Sequence, residues 1–162
     1  MKIRPLEPHK DAPEIAEIYK WYVENTTATF ETVPPTPEVM EERLHAIASD
    51  YPCYVCEESG RVVGYCYVHL WKTFAAYSLT LETTIYLRPG MEGHGIGLTL
   101  MEHLIRECRE RGFVSLIACI TAENDGSRRF HERLGFSQVS DFKRVGYKFG
   151  RYLDVTDYQL QL

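Results

Sequence analysis

The sequence has no apolar run of membrane-spanning length, and its first residues, MKIRPLEPHK, lack the apolar stretch of a secretion signal. The expectation is a soluble, cytoplasmic protein with no membrane partner. A surplus of positive charge is also missing: 18 Lys and Arg stand against 23 Asp and Glu, for a net charge of −5. A broad nucleic-acid surface is carried mainly by Lys and Arg, so no nucleic-acid partner is expected. Cysteines are few and odd in number (Cys53, Cys56, Cys66, Cys108 and Cys119), and most sit inside apolar runs, as thiols of a reduced compartment do. Cys53 and Cys56 have CxxC spacing, but no second pair follows and strand alternation accounts for them equally well, so no metal is expected. No repeat, low-complexity tract or linker divides the chain. What is present, 162 residues of which 44% are hydrophobic and 25% charged, fits one domain spanning 1–162.

Ile3 to Leu6 reads as a short strand, and Asp11-Ala12-Pro13 as the N-cap and first turn of a helix with Ile15, Ile18, Tyr19 and Tyr22 on its apolar face. The segment TTATFETVPPTP breaks regular structure; Thr36 before Pro37 then starts a helix facing inward through Met40, Leu44, Ile47 and Ala48. Tyr54 to Glu57 and Val62 to Trp71, joined by Glu58-Ser59-Gly60, predict an antiparallel hairpin. A further strand, Leu79 to Arg88, leads through RPGMEGHGIG into a helix with Gly97, Leu100, Met101, Leu104, Ile105 and Cys108 on one face and Gly112 at its end. Ser115 to Thr121 is the apolar run of a strand covered on both faces, which completes a βαβ crossover and one parallel pair. Asn124 or Asp125 caps a helix with Ser127, Phe130, His131 and Leu134 on one face and Gly135 at its close. Strands at about Phe136 to Val145 and Tyr152 to Leu162 finish the chain. The order βααβββαβαββ predicts an α/β (α+β) fold: a mixed, mostly antiparallel twisted sheet of six to seven strands with one parallel pair and helices on both faces.

Glu92 to Gly97, EGHGIG, lies where a strand passes into a helix. A helix N-terminus offers unpaired amides and partial positive charge, and alternating glycines let backbone approach an anion. A plain turn would need only one glycine, so phosphate binding is the better reading. No Gly-Lys-Ser/Thr follows, which excludes a Walker loop. A dinucleotide loop fits less well: Leu98 stands where its third glycine belongs, although Glu123 lies near the place of a ribose-binding acid. On the preceding strand, Glu82 shares a face with Thr80 and Thr84 while Leu79, Leu81, Ile85 and Leu87 alternate to the other. It is a cleft carboxylate or an exposed one on a solvated face, and periodicity leaves both open. His131 shares its face with Phe130 and Leu134, and on pattern alone a satisfied core histidine is the plainer account.

Together EGHGIG and ENDGSRRFHERLGF resemble the GCN5-related N-acetyltransferase (GNAT) family, over nearly the whole chain. There a Q/RxxGxG/A loop between the fourth strand and a helix holds acetyl-CoA, and a later helix carries an Asn, a small residue, a catalytic acid and a terminal Leu-Gly-Phe. TATFETVPPTPE, YPCYVCEESGRVVGYCYV, WKTFAAYSLTLETTIYL and GYKFGRYLDV are most similar to its phosphinothricin acetyltransferase-like subgroup. The resemblance implies a GNAT-type sheet, acetyl-CoA as co-substrate, a homodimer, and N-acetylation of a small amino acid or analogue of the phosphinothricin or methionine sulfoximine kind, by direct transfer in a ternary complex. It implies Glu82 as general base, acting through water, and His131 as the acid towards the thiolate, a position held by tyrosine in most of the family and by histidine in the subgroup. Coenzyme contacts would be Ile85, Tyr86 and Leu87 on the strand, Glu92, Gly93, His94, Gly95, Ile96 and Gly97 in the loop, and Asn124 and Ser127. A strand amide would polarise the carbonyl, which a bulge would free.

The acceptor is sought among Phe30, Trp71, Phe74, Tyr77 and Lys148, whose aromatics also suit ordinary packing. Two residues depart from the family. Glu92 replaces the usual Gln or Arg and brings negative charge to the pyrophosphate; Phe74 replaces the arginine of the herbicide-detoxifying members, which could clamp an anionic group. A non-catalytic coenzyme A or nucleotide-binding sensor is the alternative function.

Overall fold

In the computed structural model, which describes residues 1–162, the elements follow as β1 (Lys2–Pro5), α1 (Pro8–Asn25), α2 (Pro37–Ala48), β2 (Cys53–Glu58), β3 (Arg61–Leu70), β4 (Thr80–Leu87), α3 (Ile96–Glu110), β5 (Ser115–Thr121), α4 (Asp125–Arg133), β6 (Ser137–Gln138), β7 (Phe142–Lys148) and β8 (Arg151–Gln161), with a 3₁₀ turn at Ala75–Tyr77. The sheet runs β1-β2-β3-β4-β5-β8-β6, with β7 also paired to β8. All pairings are antiparallel except β4 with β5. Short β6 and longer β7 lie end to end along one edge of β8, Ser137 opposite Gln159 and Gly146 opposite Leu153. The single strand expected at Phe136 to Val145 is therefore two, because Ser140 Oγ accepts the Asp157 N–H at 2.8 Å in place of a ladder carbonyl.

Helix α1 corrects one expected boundary. It begins at Pro8, whose missing N–H and fixed φ suit a first helical position, and Asp11 lies within it rather than before it. Asp11 is buried; its carboxylate turns back to accept the Glu7 N–H at 2.8 Å and a bidentate pair from Arg4 at 2.8 and 2.7 Å. Helix α2 starts as read, with Thr36 accepting from Val39 N–H. Leu79, expected on the inward face of β4, precedes the strand and is exposed.

Two apolar layers flank the sheet. One gathers Ile15 and Ile18 of α1, Met40 and Leu44 of α2, and Val55 and Tyr65 of the sheet. The other gathers Leu100, Met101 and Leu104 of α3 with Leu116, Ala118 and Tyr158, and Phe130 of α4 packs against it. Each fully buried Leu or Ile contributes about 1.5–3 kcal/mol. Cys53 and Cys56 fall in different layers, so the CxxC spacing brings no shared ligand site. No group of three His, Cys, Asp or Glu side chains comes together as a metal site.

The parallel pair is short. Thr80, Leu81 and Glu82 pair with Ser115, Leu116 and Ile117, after which β4 runs on to Leu87 beside β3 alone and β5 runs on to Thr121 beside β8. The sheet forks there.

Candidate active site

Past Glu82, β4 offers backbone groups that no strand takes up. Trp71 N–H donates to Thr80 O at 3.3 Å and Arg88 N–H to Val63 O at 2.8 Å, so even-numbered residues of β4 bond to β3. By alternation the N–H groups of Ile85 and Leu87 point the other way, into the fork. The β3–β4 register runs without a shift from Gly64–Leu87 to Leu70–Leu81, so the strand carries no bulge; the fork itself leaves these amides open. The Leu87 carbonyl accepts from the Tyr22 hydroxyl at 2.9 Å, and the Tyr86 ring turns to the opposite layer against Tyr19, Tyr22 and Tyr65.

The glycine loop sits at the open end of β4. Gly90, Gly93 and Gly95 all have φ near +80°, and a Cβ on any of them would meet nothing within 4 Å. Gly95 is the left-handed N-cap of α3 and makes no side-chain cap; the first ladder bond, Thr99 N–H to Gly95 O, leaves the Ile96, Gly97 and Leu98 amides ahead of it. These amides and the helix dipole form an anion cradle. Ile96 and Gly97 are buried, and a Cβ on Gly97 would lie 3.4 Å from the Phe130 ring, so this glycine sets how closely α3 meets α4. His94 is exposed. The Glu92 carboxylate folds back to accept the Gly90 N–H at 2.8 Å. Burial, and then the charge of Glu92, pushes the Tyr22 phenol up to about 12.

Helix α4 closes the fork from the α3 side. Asn124 Oδ1 accepts the Ser127 N–H at 3.1 Å as an N-cap, which leaves its amide nitrogen free. His131 is 3% exposed and stands edge-on between Phe130 and Phe136. Its Nδ1 lies 2.8 Å from the Ser127 carbonyl and 3.3 Å from Ser127 Oγ. A carbonyl only accepts, so Nδ1 carries the proton and Nε2 holds the lone pair. Burial lowers the pKa of His131, partly offset by that carbonyl, so the neutral ring dominates at pH 7.

Glu82 is on the other side of the sheet, that of α1 and α2, at the last paired position before the fork. It is half-buried and forms no salt bridge. Loss of water raises its pKa, His69 opposite it on β3 lowers it, and Asp157 raises it. His69 Nδ1 donates to Leu70 O at 2.9 Å. Neither His69 nor Asp157 was singled out from sequence. The only signal was a polar residue inside a strand, and their convergence depends on register across four strands.

The expected acceptor residues separate into two groups. Lys148 is 3% exposed, and its Nζ donates to Thr26 O and Thr29 O, both at 2.8 Å. Phe30 packs over Gly146, where a Cβ would come within 2.2 Å of its ring. These two order the segment that overhangs the Glu82 side. Trp71 and Tyr77 meet edge-on at 5.4 Å with Lys72 4.2 Å above the Trp71 ring, and Phe74 beside them is 76% exposed.

A forked mixed sheet, strand amides open along one arm and an anion cradle at its end define an acyl-CoA-dependent acyltransferase. Comparison gives the family: the acetyltransferase (GNAT) domain profile matches residues 3–156, and the chain belongs to the GNAT acetyltransferases. It is an N-acetyltransferase that uses acetyl-CoA. It is 35% identical to a phosphinothricin N-acetyltransferase of Streptomyces viridochromogenes over 159 residues, 98% of this chain and 86% of that one. It is 36% identical to an L-methionine sulfoximine/L-methionine sulfone acetyltransferase of Salmonella typhimurium over 154 residues, 94% of this chain and 90% of that one. Among solved structures, a GNAT superfamily phosphinothricin acetyltransferase from Sinorhizobium meliloti in complex with AcCoA superposes with a TM-score of 0.95 at 36% identity, covering 99% of this chain and 88% of that one.

Proposed function

We propose that the chain acetylates the free amine of a small amino acid or amino-acid analogue by direct transfer in a ternary complex. The observation that carries this is the unpaired, half-buried Glu82 carboxylate at the point where β4 and β5 part. Acetyl-CoA supplies an activated acetyl thioester. The cradle from Gly93 to Leu98 would hold its pyrophosphate, the Ile85 and Leu87 amides would pair with its pantetheine arm as a neighbouring strand does, and Asn124 and Ser127 would flank it. Glu82 would take the proton of the incoming ammonium through a water molecule, and an amide of the β4 arm would polarise the carbonyl. His131 would return a proton to the thiolate from Nε2, which it can do only as the imidazolium, since Nδ1–H is committed to Ser127. Incubation with acetyl-CoA and a panel of amino acids and analogues tests the reading: thiol release with an acceptor supports it, and coenzyme binding without any thiol release overturns it in favour of a sensor.

Two predictions follow from the neighbouring side chains. The Glu92 carboxylate occupies the Gly90 amide and repels the pyrophosphate, so Glu92→Gln should lower the KM for acetyl-CoA by about three- to tenfold, the range expected of one partly screened charge. An unchanged or higher KM would show that the carboxylate faces away from the coenzyme. For His131→Gln, the ratio of wild-type to variant kcat should grow as pH falls, from little at about pH 8 to about tenfold at pH 6, because only the protonated ring can donate. A ratio independent of pH would remove His131 from proton transfer. A homodimer fits the exposed apolar side chains Phe142, Val145, Tyr147, Phe149 and Tyr152 of the β7–β8 hairpin. Sedimentation equilibrium returning the mass of a single chain would refute it.

A further inference from the structure

Glu82 has a carboxylate companion. Asp157 of β8 lies opposite Cys119 of β5, and because Tyr158 and Leu160 alternate with it into the α3 layer, Asp157 emerges on the same side of the sheet as Glu82. It is half-buried and in no salt bridge. Cys119 is opposite Asp157 and two residues on from Ile117, the partner of Glu82, so its exposed side chain emerges on this face between the two strands. Its thiol is pushed up to about 12 by loss of water and then by the charges of Asp157 and Glu82. The cations near this face are already engaged: Arg43 by Glu31, Arg151 by Glu123, and Lys148 by two carbonyls. His69 is the remaining base, and its Nδ1 proton is held by Leu70 O. Once the reacting ammonium of an acceptor has paired with Glu82, one carboxylate is left over. Glu82 and Asp157 stand on strands separated by β5, about 10 Å from axis to axis, and their side chains narrow that gap.

We propose that Asp157 is a specificity residue of the acceptor site, selecting small amines with a second cationic group a few methylenes from the reacting nitrogen and disfavouring acceptors with an anionic group there. This selection rests on the acetyl-transfer reading above and narrows it from small amino acids in general to those with a cationic side chain, and to diamines. An ammonium beside Asp157 gains a charge pair in a half-dry cleft, a methyl group gains nothing, and a carboxylate meets repulsion.

The test uses the full chain, acetyl-CoA and three acceptors of nearly equal length: lysine, norleucine and 2-aminoadipate. Their α-amine and α-carboxylate are common, and their side-chain ends are cationic, neutral and anionic. Wild-type kcat/KM should fall in that order, by about tenfold at each step, one close charge pair in a partly dry site being worth about that. Asp157→Asn should bring lysine within about twofold of norleucine, mainly through KM, while the KM for acetyl-CoA stays put; the lysine-to-norleucine ratio is the readout, because any change in Glu82 is shared by both acceptors. Asp157→Ser should do the same, so a folding defect peculiar to one variant is recognised. A wild-type preference for norleucine or 2-aminoadipate, or discrimination that survives both substitutions, overturns the role of Asp157 and leaves acetyl transfer standing. Absence of thiol release with these three and with every other amine overturns both.

Discussion

Glu82→Gln is expected to lower kcat/KM for the amine acceptor by about 10²–10⁴-fold at neutral pH, the usual contribution of a positioned general base. The group that has to be ionised is the one whose pKa burial raises, so wild-type activity should climb with pH through a value above the ordinary glutamate range, and the glutamine variant should lose that limb. His69 and Asp157 are the titratable groups that act on it, and each would shift the limb without abolishing it; the Cys119 thiol, pushed up to about 12, stays neutral through that range. The sign for stability is opposite. A carboxylate with a raised folded-state pKa contributes its stability below the unfolded value and loses it as pH rises through the folded one. Glu82→Gln should therefore unfold at a temperature no lower than wild type at neutral pH. A variant with near wild-type turnover, or with a flat pH profile in both proteins, would remove Glu82 from the chemistry.

Lys148→Met should act on the architecture of the acceptor side. The ammonium is buried and satisfies the carbonyls of Thr26 and Thr29; a thioether of similar length leaves both without a donor, at about 1–3 kcal/mol each. The loss should amount to about 2–6 kcal/mol, or roughly 4–24 °C in Tm for a chain of this size. The same segment is pinned by the Thr121 hydroxyl on Thr27 O, by Thr27 Oγ1 on Glu123 at 2.7 Å and by Tyr19 OH with Thr29 Oγ1 at 2.7 Å. It should loosen rather than detach. The KM for the acceptor would then rise while that for acetyl-CoA holds. Unchanged thermal unfolding would mean that the ammonium is not the tether the hydrogen bonds describe.

Much of the fold was legible in the residues because it rests on local rules. The inward stripe of α3, the glycine at its end, the Thr36-Pro37 start of α2 and the continuous apolar run of β5 all appear where periodicity and capping put them. Where local rules compete, sequence erred. Asp11 looked like a cap because aspartate often is one, yet it serves as the buried partner of Arg4, a residue brought to it by the pairing of β1 with β2. The last strands divided where a serine hydroxyl replaced a backbone partner, an event that no hydrophobic pattern records.

By itself the sequence determined the glycine turn ahead of α3, because three close glycines before an amphipathic helix need no tertiary help to present free amides. It also determined that Glu82 leaves the sheet on the side opposite Leu81 and Ile85, since alternation along a strand is a property of the chain. Tertiary structure alone decided that β4 and β5 part just beyond Glu82, and that Asp157 arrives beside Glu82 from a strand 75 residues away in sequence. The physical reason is common to both. Direction along a strand or helix is set by neighbours in sequence, whereas the charge and water around a side chain are set by whichever distant strands the sheet brings alongside.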